Sequence, residues 1–186
     1  MKIYVQYMVS LRCKMKVEEE LKILDINYKN VDLGVIELFE EITYSDLVLL
    51  KKSLLTSGLV VIEDKRSILI EKIKTTIIEM IHHSEELPKV NYSDFLSEEL
   101  GYDYTYLSNL FSDTKGITIQ QFIIIHKIEK VKELMLYDSL TLTEIAHSLH
   151  YSSTSHLSNQ FKKITGLSPS HFKRLQQFRI QNIENL

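Results

Sequence analysis

Cysteine occurs once in the 186 residues, at position 13, and tryptophan is absent. One cysteine excludes an internal disulfide framework and fits a reducing compartment. Five glycines and two prolines are few, and no flexible Gly/Ser stretch marks a linker. No apolar run approaches the ~20 residues that a membrane span needs. The start, MKIYVQYMVSLRC, lacks the long apolar segment and small-residue cleavage site of a signal peptide, so a soluble, cytoplasmic protein is expected. There is no Gly-rich phosphate loop, no His-Glu-x-x-His and no nucleophile elbow, and neither an enzyme nor a cofactor is expected. The seven histidines form no persuasive metal site: His82 and His83 are adjacent and point to different helix faces, and His150, three after His147, lies in a turn. Neither charge sign dominates, since 22 Lys+Arg against 25 Asp+Glu leave a net −3. That average hides a gradient, from −2 over residues 1–65 and −5 over 66–114 to +4 over 115–186. A polyanionic partner would meet the last third.

What is present begins with alternating strand and helix signals. KIYVQYMV (2–9) is rich in β-branched and aromatic residues, and KMKVEEELKIL (14–24) carries Val17, Leu21 and Leu24 on one helical face. YKNVDLGVIELF (28–39) reads as two strands broken at Gly34. YSDLVLLKKSLLTS (44–57) reads as a helix with Thr43 or Ser45 as N-cap and Gly58 at its end, and LVVIED (59–64) as a last strand. Strand–helix–strand–strand–helix–strand is the order of a ferredoxin-like βαββαβ sandwich. From Arg66 the strand signals stop: RSILIEKIKTTIIEMIHHS (66–84) is an amphipathic helix, and short helices follow. The expected fold is therefore α+β, with a ferredoxin-like domain over 1–65 and an all-α domain over 66–186.

The all-α part repeats itself at an interval of fifty residues. YLSNLF (106–111) returns as HLSNQF (156–161), and KGITIQQF (115–122) as TGLSPSHF (165–172). In each copy a helix, a brief turn and a second helix follow one another. Leu107 and Phe111, like Leu157 and Phe161, share a buried face, with short polar residues opposite. That unit is a helix-turn-helix, whose second helix can enter the DNA major groove. Between the copies, IQQFIIIHKIEKVKELMLY (119–137) is long enough for a helix of about 28 Å at 1.5 Å per residue, close to the ~34 Å between successive major grooves. One chain is thus expected to read two half-sites.

TLTEIAHSLHYSSTSHLSNQFKKITGLSPSHFK (141–173) resembles the C-terminal signature of the AraC/XylS family of bacterial transcription regulators, and residues from about 66 to 175 resemble that family's seven-helix DNA-binding domain. It departs from the family at His150, where glycine is usual. The resemblance implies base-facing positions at Tyr104, Thr105, Ser108 and Asn109 in the first copy and Thr154, Ser155, Ser158 and Asn159 in the second. Phosphate contacts are expected from Lys115, Lys127, Lys130, Lys162, Lys163, Lys173 and Arg174. No arginine stands at a base-facing position, so an A/T-leaning site with a share of shape readout is expected. The expected partners are double-stranded DNA, RNA polymerase and, through the N-terminal domain, a second copy of the chain.

MVSLRC (8–13) is similar to the Met-x-Cys-x-x-Cys loop of heavy-metal-associated ferredoxin-like domains, with Ser10 in place of the first cysteine and only Cys13 kept. One thiolate is a poor soft-metal site, so the likeness supports the fold more than the activity. A metal-sensing or metallochaperone-like protein acting through Ser10 and Cys13 is the alternative function. A protein-interaction module is the third.

Overall fold

The structure, a computed structural model of the chain, describes residues 1–83, 91–137 and 140–175. The chain runs β1 (Lys2–Gln6), α1 (Leu11–Ile23), β2 (Tyr28–Asp32), β3 (Val35–Leu38), α2 (Tyr44–Thr56), β4 (Val60–Ile62), α3 (Lys65–Ile78), a π-helical turn (Glu79–His83), α4 (Tyr92–Leu100), α5 (Tyr104–Lys115), α6 (Ile119–Tyr137), α7 (Leu142–Ser148) and α8 (Thr154–Thr165). It divides into two compact units. One is Met1–Ile78 with Leu96–Leu110, and the other is Glu79–Phe95 with the chain from Phe111 on.

In the first unit the strands form one antiparallel sheet in the order β2-β3-β1-β4. Period-two alternation sends Ile3 and Val5 of β1 into a core shared with Val17 and Leu21 of α1 and Leu50 and Leu54 of α2. Each fully buried Leu or Val there contributes roughly 1.5–3 kcal/mol. Buried Glu20 ties the two helices together, accepting a hydrogen bond from the Ser53 hydroxyl and pairing with Lys16 at 2.7 Å. Thr43 is the N-cap of α2, its hydroxyl accepting from the Asp46 amide at 3.1 Å. The opposite face of the sheet meets α3, where Lys72 lies 5.2 Å from the centre of the Tyr4 ring. Gly34, between β2 and β3 at φ +75°, lies close against α3: a Cβ there would stand 2.8 Å from Cγ2 of Thr75. These contacts place α3 with the sheet, so the first unit runs past residue 65.

In the second unit α6, α7 and α8 pack on one another. Fully buried Ile145, Leu157 and Phe161 form the seam, and the Phe161 and Phe172 rings meet at 5.5 Å and 67°. The single helix expected over 66–84 is interrupted. Its α-helix ends at Ile78, and the wider π turn that follows buries both Met80 and Ile81.

Candidate nucleic-acid interface

Each copy of the repeat starts its second helix from a capped position. Asp103 Oδ1 accepts from the amides of Thr105 and Tyr106 at 2.8 and 3.2 Å, and Ser153 Oγ accepts from the His156 amide at 3.1 Å. The turn before α5 passes through Gly101 at φ +71°, and α5 is followed by Gly116 at +70°. Gly166 caps α8 in the left-handed conformation at φ 78°. In the second turn His150 itself is left-handed, at φ 52°. A non-glycine residue there costs about 1–2 kcal/mol. Helix α7 is held at its start by a capping box, in which the Thr141 hydroxyl accepts from the Glu144 amide while Glu144 accepts from the Thr141 amide at 2.7 Å.

With Leu107, Phe111, Leu157 and Phe161 fully buried, the opposite faces of α5 and α8 turn outward. Thr105 and Asn109 on α5, and Ser155 and Asn159 on α8, are exposed; Tyr104, Ser108, Thr154 and Ser158 are half-buried. Burial lifts the Tyr104 phenol above its usual range, so its hydroxyl stays a neutral donor. All four α5 positions belong to the first compact unit and all four α8 positions to the second. Of the expected phosphate-contacting residues, Lys115, Lys162, Lys163 and Arg174 are exposed and Lys173 is half-buried. Lys130 is half-buried, with Nζ on Glu133 at 2.9 Å.

Residues 96–175 match the family model of a helix-turn-helix domain. Over 104 residues the chain is 25% identical to the uncharacterized HTH-type transcriptional regulator YtdP of Bacillus subtilis, covering 56% of this chain and 13% of that protein. Over 78 residues it is 31% identical to an uncharacterized HTH-type transcriptional regulator of Staphylococcus aureus, covering 42% of this chain and 10% of that one. It thus spans about a tenth of the length of these relatives. Its structure is similar to the C-terminal domain of AraT, a response regulator from Geobacillus stearothermophilus, with a TM-score of 0.50 and 26% identity over 60% of this chain and 88% of that one.

Within the matched segment Lys127 departs from expectation. Its side chain is buried, with 7% of its surface exposed. Its Nζ stands 5.1 Å from the Tyr92 ring centre and 4.9 Å from that of Tyr151. Loss of hydration pulls its pKa down to about 8. An ammonium enclosed in this way does not reach a phosphate, and Lys127 leaves the list of phosphate-contacting residues. The signal was in the sequence: Lys127 interrupts an i, i+4 row of Ile119, Ile123, Val131 and Met135 on the buried face of α6.

Two further groupings join residues distant in sequence. His82 Nε2 lies 3.3 Å from His126 Nδ1, and His82 Nδ1 lies 3.6 Å from Glu133. Burial holds His82 below the usual imidazole range, against the pull of Glu133. Among the described residues no three His, Cys, Asp or Glu are arranged to hold a metal. At the start of α5, exposed Tyr102 and Tyr106 stack at 5.7 Å and 27°. Fifty residues on, their counterparts are Ser152 and His156, joined at 3.0 Å. In the first unit, Ser10 serves as the N-cap of α1, accepting from the Cys13 amide at 3.4 Å. Burial pushes the Cys13 thiol up, but the Ser10 hydroxyl and nearby amides outweigh it and leave the thiol below its ordinary value. Nothing in this arrangement favours the metal reading.

Proposed function

We propose that the chain is a DNA-binding transcription regulator of the AraC/XylS kind, reading two adjacent major-groove half-sites with α5 and α8. The observation that carries this reading is the duplication itself. Two capped helices bury the same Leu-x-x-x-Phe pair and expose an asparagine and a hydroxyl at matching positions, fifty residues apart. A core-packing repeat does not require the same short polar side chains outward in both copies. Helix α6, 19 residues and about 28 Å long, lies between the copies in sequence, comparable with the ~34 Å groove repeat. Asparagine can bond adenine in a bidentate manner, and threonine methyls suit thymine. Without arginine in the base-facing rows, the site leans toward A and T. Lys115, Lys162, Lys163, Lys173 and Arg174 supply the phosphate contacts, with a smaller part for Lys130.

We infer a ferredoxin-like sandwich for residues 1–65, on the strength of its element order and the β2-β3-β1-β4 sheet. A homodimer through this region draws support from exposed Leu11 and Met15 on α1 and Tyr44 and Val48 on α2. Sedimentation showing only monomer at micromolar concentration refutes it.

Selection of bound sequences from a random DNA pool tests the main reading. The expected product is a two-part, A/T-leaning site with half-sites about one helical turn apart. Asn109→Ala and Asn159→Ala should each relax the preference in one half, with a loss of about 1–3 kcal/mol. G-rich half-sites would overturn the assigned base contacts. No binding even at low salt would overturn the function.

A further inference from the structure

Lys127 is the charged member of the buried row along α6, and among the described residues no carboxylate pairs with it. What it has instead is two ring faces. Tyr92 comes from α4 and Tyr151 from the turn between α7 and α8, with Nζ about equally far from both. The Tyr151 ring also meets the His156 ring edge-on, at 5.4 Å and 83°. His156 lies in the first turn of α8, with Nδ1 3.0 Å from Ser152 Oγ. Tyr151 follows the left-handed His150, and its amide donates to the Ala146 carbonyl at 2.8 Å. A continuous line of contacts therefore runs from α4 through Lys127 on α6 to Tyr151 and into the N-terminal turn of α8.

We propose that Lys127 is a positioning residue for the second recognition helix, its cation gripped between Tyr92 and Tyr151 so that the turn aims Thr154, Ser155 and Asn159. The inference rests on the DNA-reading function above. An ammonium is drawn to the negative face of an aromatic ring, and most strongly where water is excluded. A neutral amine of the same shape lacks that attraction, although its carbon stem fills the same space. The distinction is therefore between charge and packing. Since the amine titrates at about 8, the grip is present at neutral pH and disappears as pH rises through that value. The titratable groups facing it are Tyr92 and Tyr151, with His156 beyond the Tyr151 ring. Burial raises both phenols, Tyr151 to about 12, so neither ionises in the same range.

The test uses the full chain in three forms: wild type, Lys127→Met, which keeps the bulk without the charge, and Lys127→Arg, which keeps the charge at every accessible pH. Without DNA, the nuclear Overhauser contact between the Tyr151 and His156 rings is followed from pH 7 to 9.5. It should fade above pH 8 in the wild type, be weak throughout in Lys127→Met and persist in Lys127→Arg. With the duplex recovered by selection, affinity for the second half-site should fall roughly tenfold over the same range in the wild type, the equivalent of losing one cation–ring attraction. It should start low in Lys127→Met, stay flat in Lys127→Arg, and leave the first half-site unaffected in all three. A ring contact that persists in Lys127→Met, or a common pH profile for wild type and Lys127→Arg, overturns the proposal. If no form binds DNA, the regulatory function fails, and the ring contact still decides the role of Lys127.

Discussion

The ammonium of Lys127 and the hydroxyl of Tyr151 are polar groups placed where apolar ones would be easier to keep. The Tyr151 hydroxyl finds no hydrogen-bond partner among the described residues, and Lys127 has ring faces in place of water. Linkage gives the second of these a measurable sign. The folded-state pKa of Lys127 is about 8 against 10.5 for a free lysine, so between these values the unfolded chain binds more protons than the folded one. Stability therefore rises with pH across that window. The difference in urea midpoint between wild type and Lys127→Met should shift in favour of the wild type from pH 8 to 10.5. A constant difference would mean that the amine is hydrated after all. The cation thus weakens the fold while orienting part of it, and the two effects have opposite pH dependence.

At the scale of elements, turns and caps explain most of what could be read in advance. Thr43, Gly34 and Gly166 act where local rules place them, because a cap or a left-handed turn is decided by a few neighbouring residues. The Leu107–Phe111 and Leu157–Phe161 spacings gave the buried faces for the same reason. The π turn at Glu79–His83, the His82–His126 contact and the burial of Lys127 are of another kind. Each depends on packing between segments tens of residues apart, and for the first two no local period announces it. A lysine on a long helix is usually solvated, and only the apolar row around Lys127 marks it as different. The second turn lies between these cases, since His150 stands where glycine was expected and adopts the glycine-like conformation. His150→Gly should stabilise the chain by roughly 0.5–1 kcal/mol in thermal unfolding, the relief of left-handed strain being partly offset by the greater freedom of glycine in the unfolded chain. A destabilised His150→Gly would mean that the imidazole makes a contact outweighing the strain.

Over the whole molecule the two copies are alike in frame and unlike in chemistry. Where α5 has Ser112 and Asp113, α8 has Lys162 and Lys163, and the charge gradient along the chain runs the same way. The first copy carries the stacked Tyr102 and Tyr106, and the second carries Ser152 and His156. Electrostatic anchoring should therefore fall mainly to the second copy. Replacing Lys162 and Lys163 together by alanine should reduce the slope of log affinity against log salt by about two, measured by fluorescence anisotropy on the selected duplex. An unchanged slope would place both lysines away from the phosphates. Because α5 and α8 belong to one polypeptide, the two-part site proposed for them needs no prior meeting of two molecules. On that reading a single chain fills the site along a simple hyperbola in protein concentration, and any assembly threshold would belong to the pairing proposed for residues 1–65.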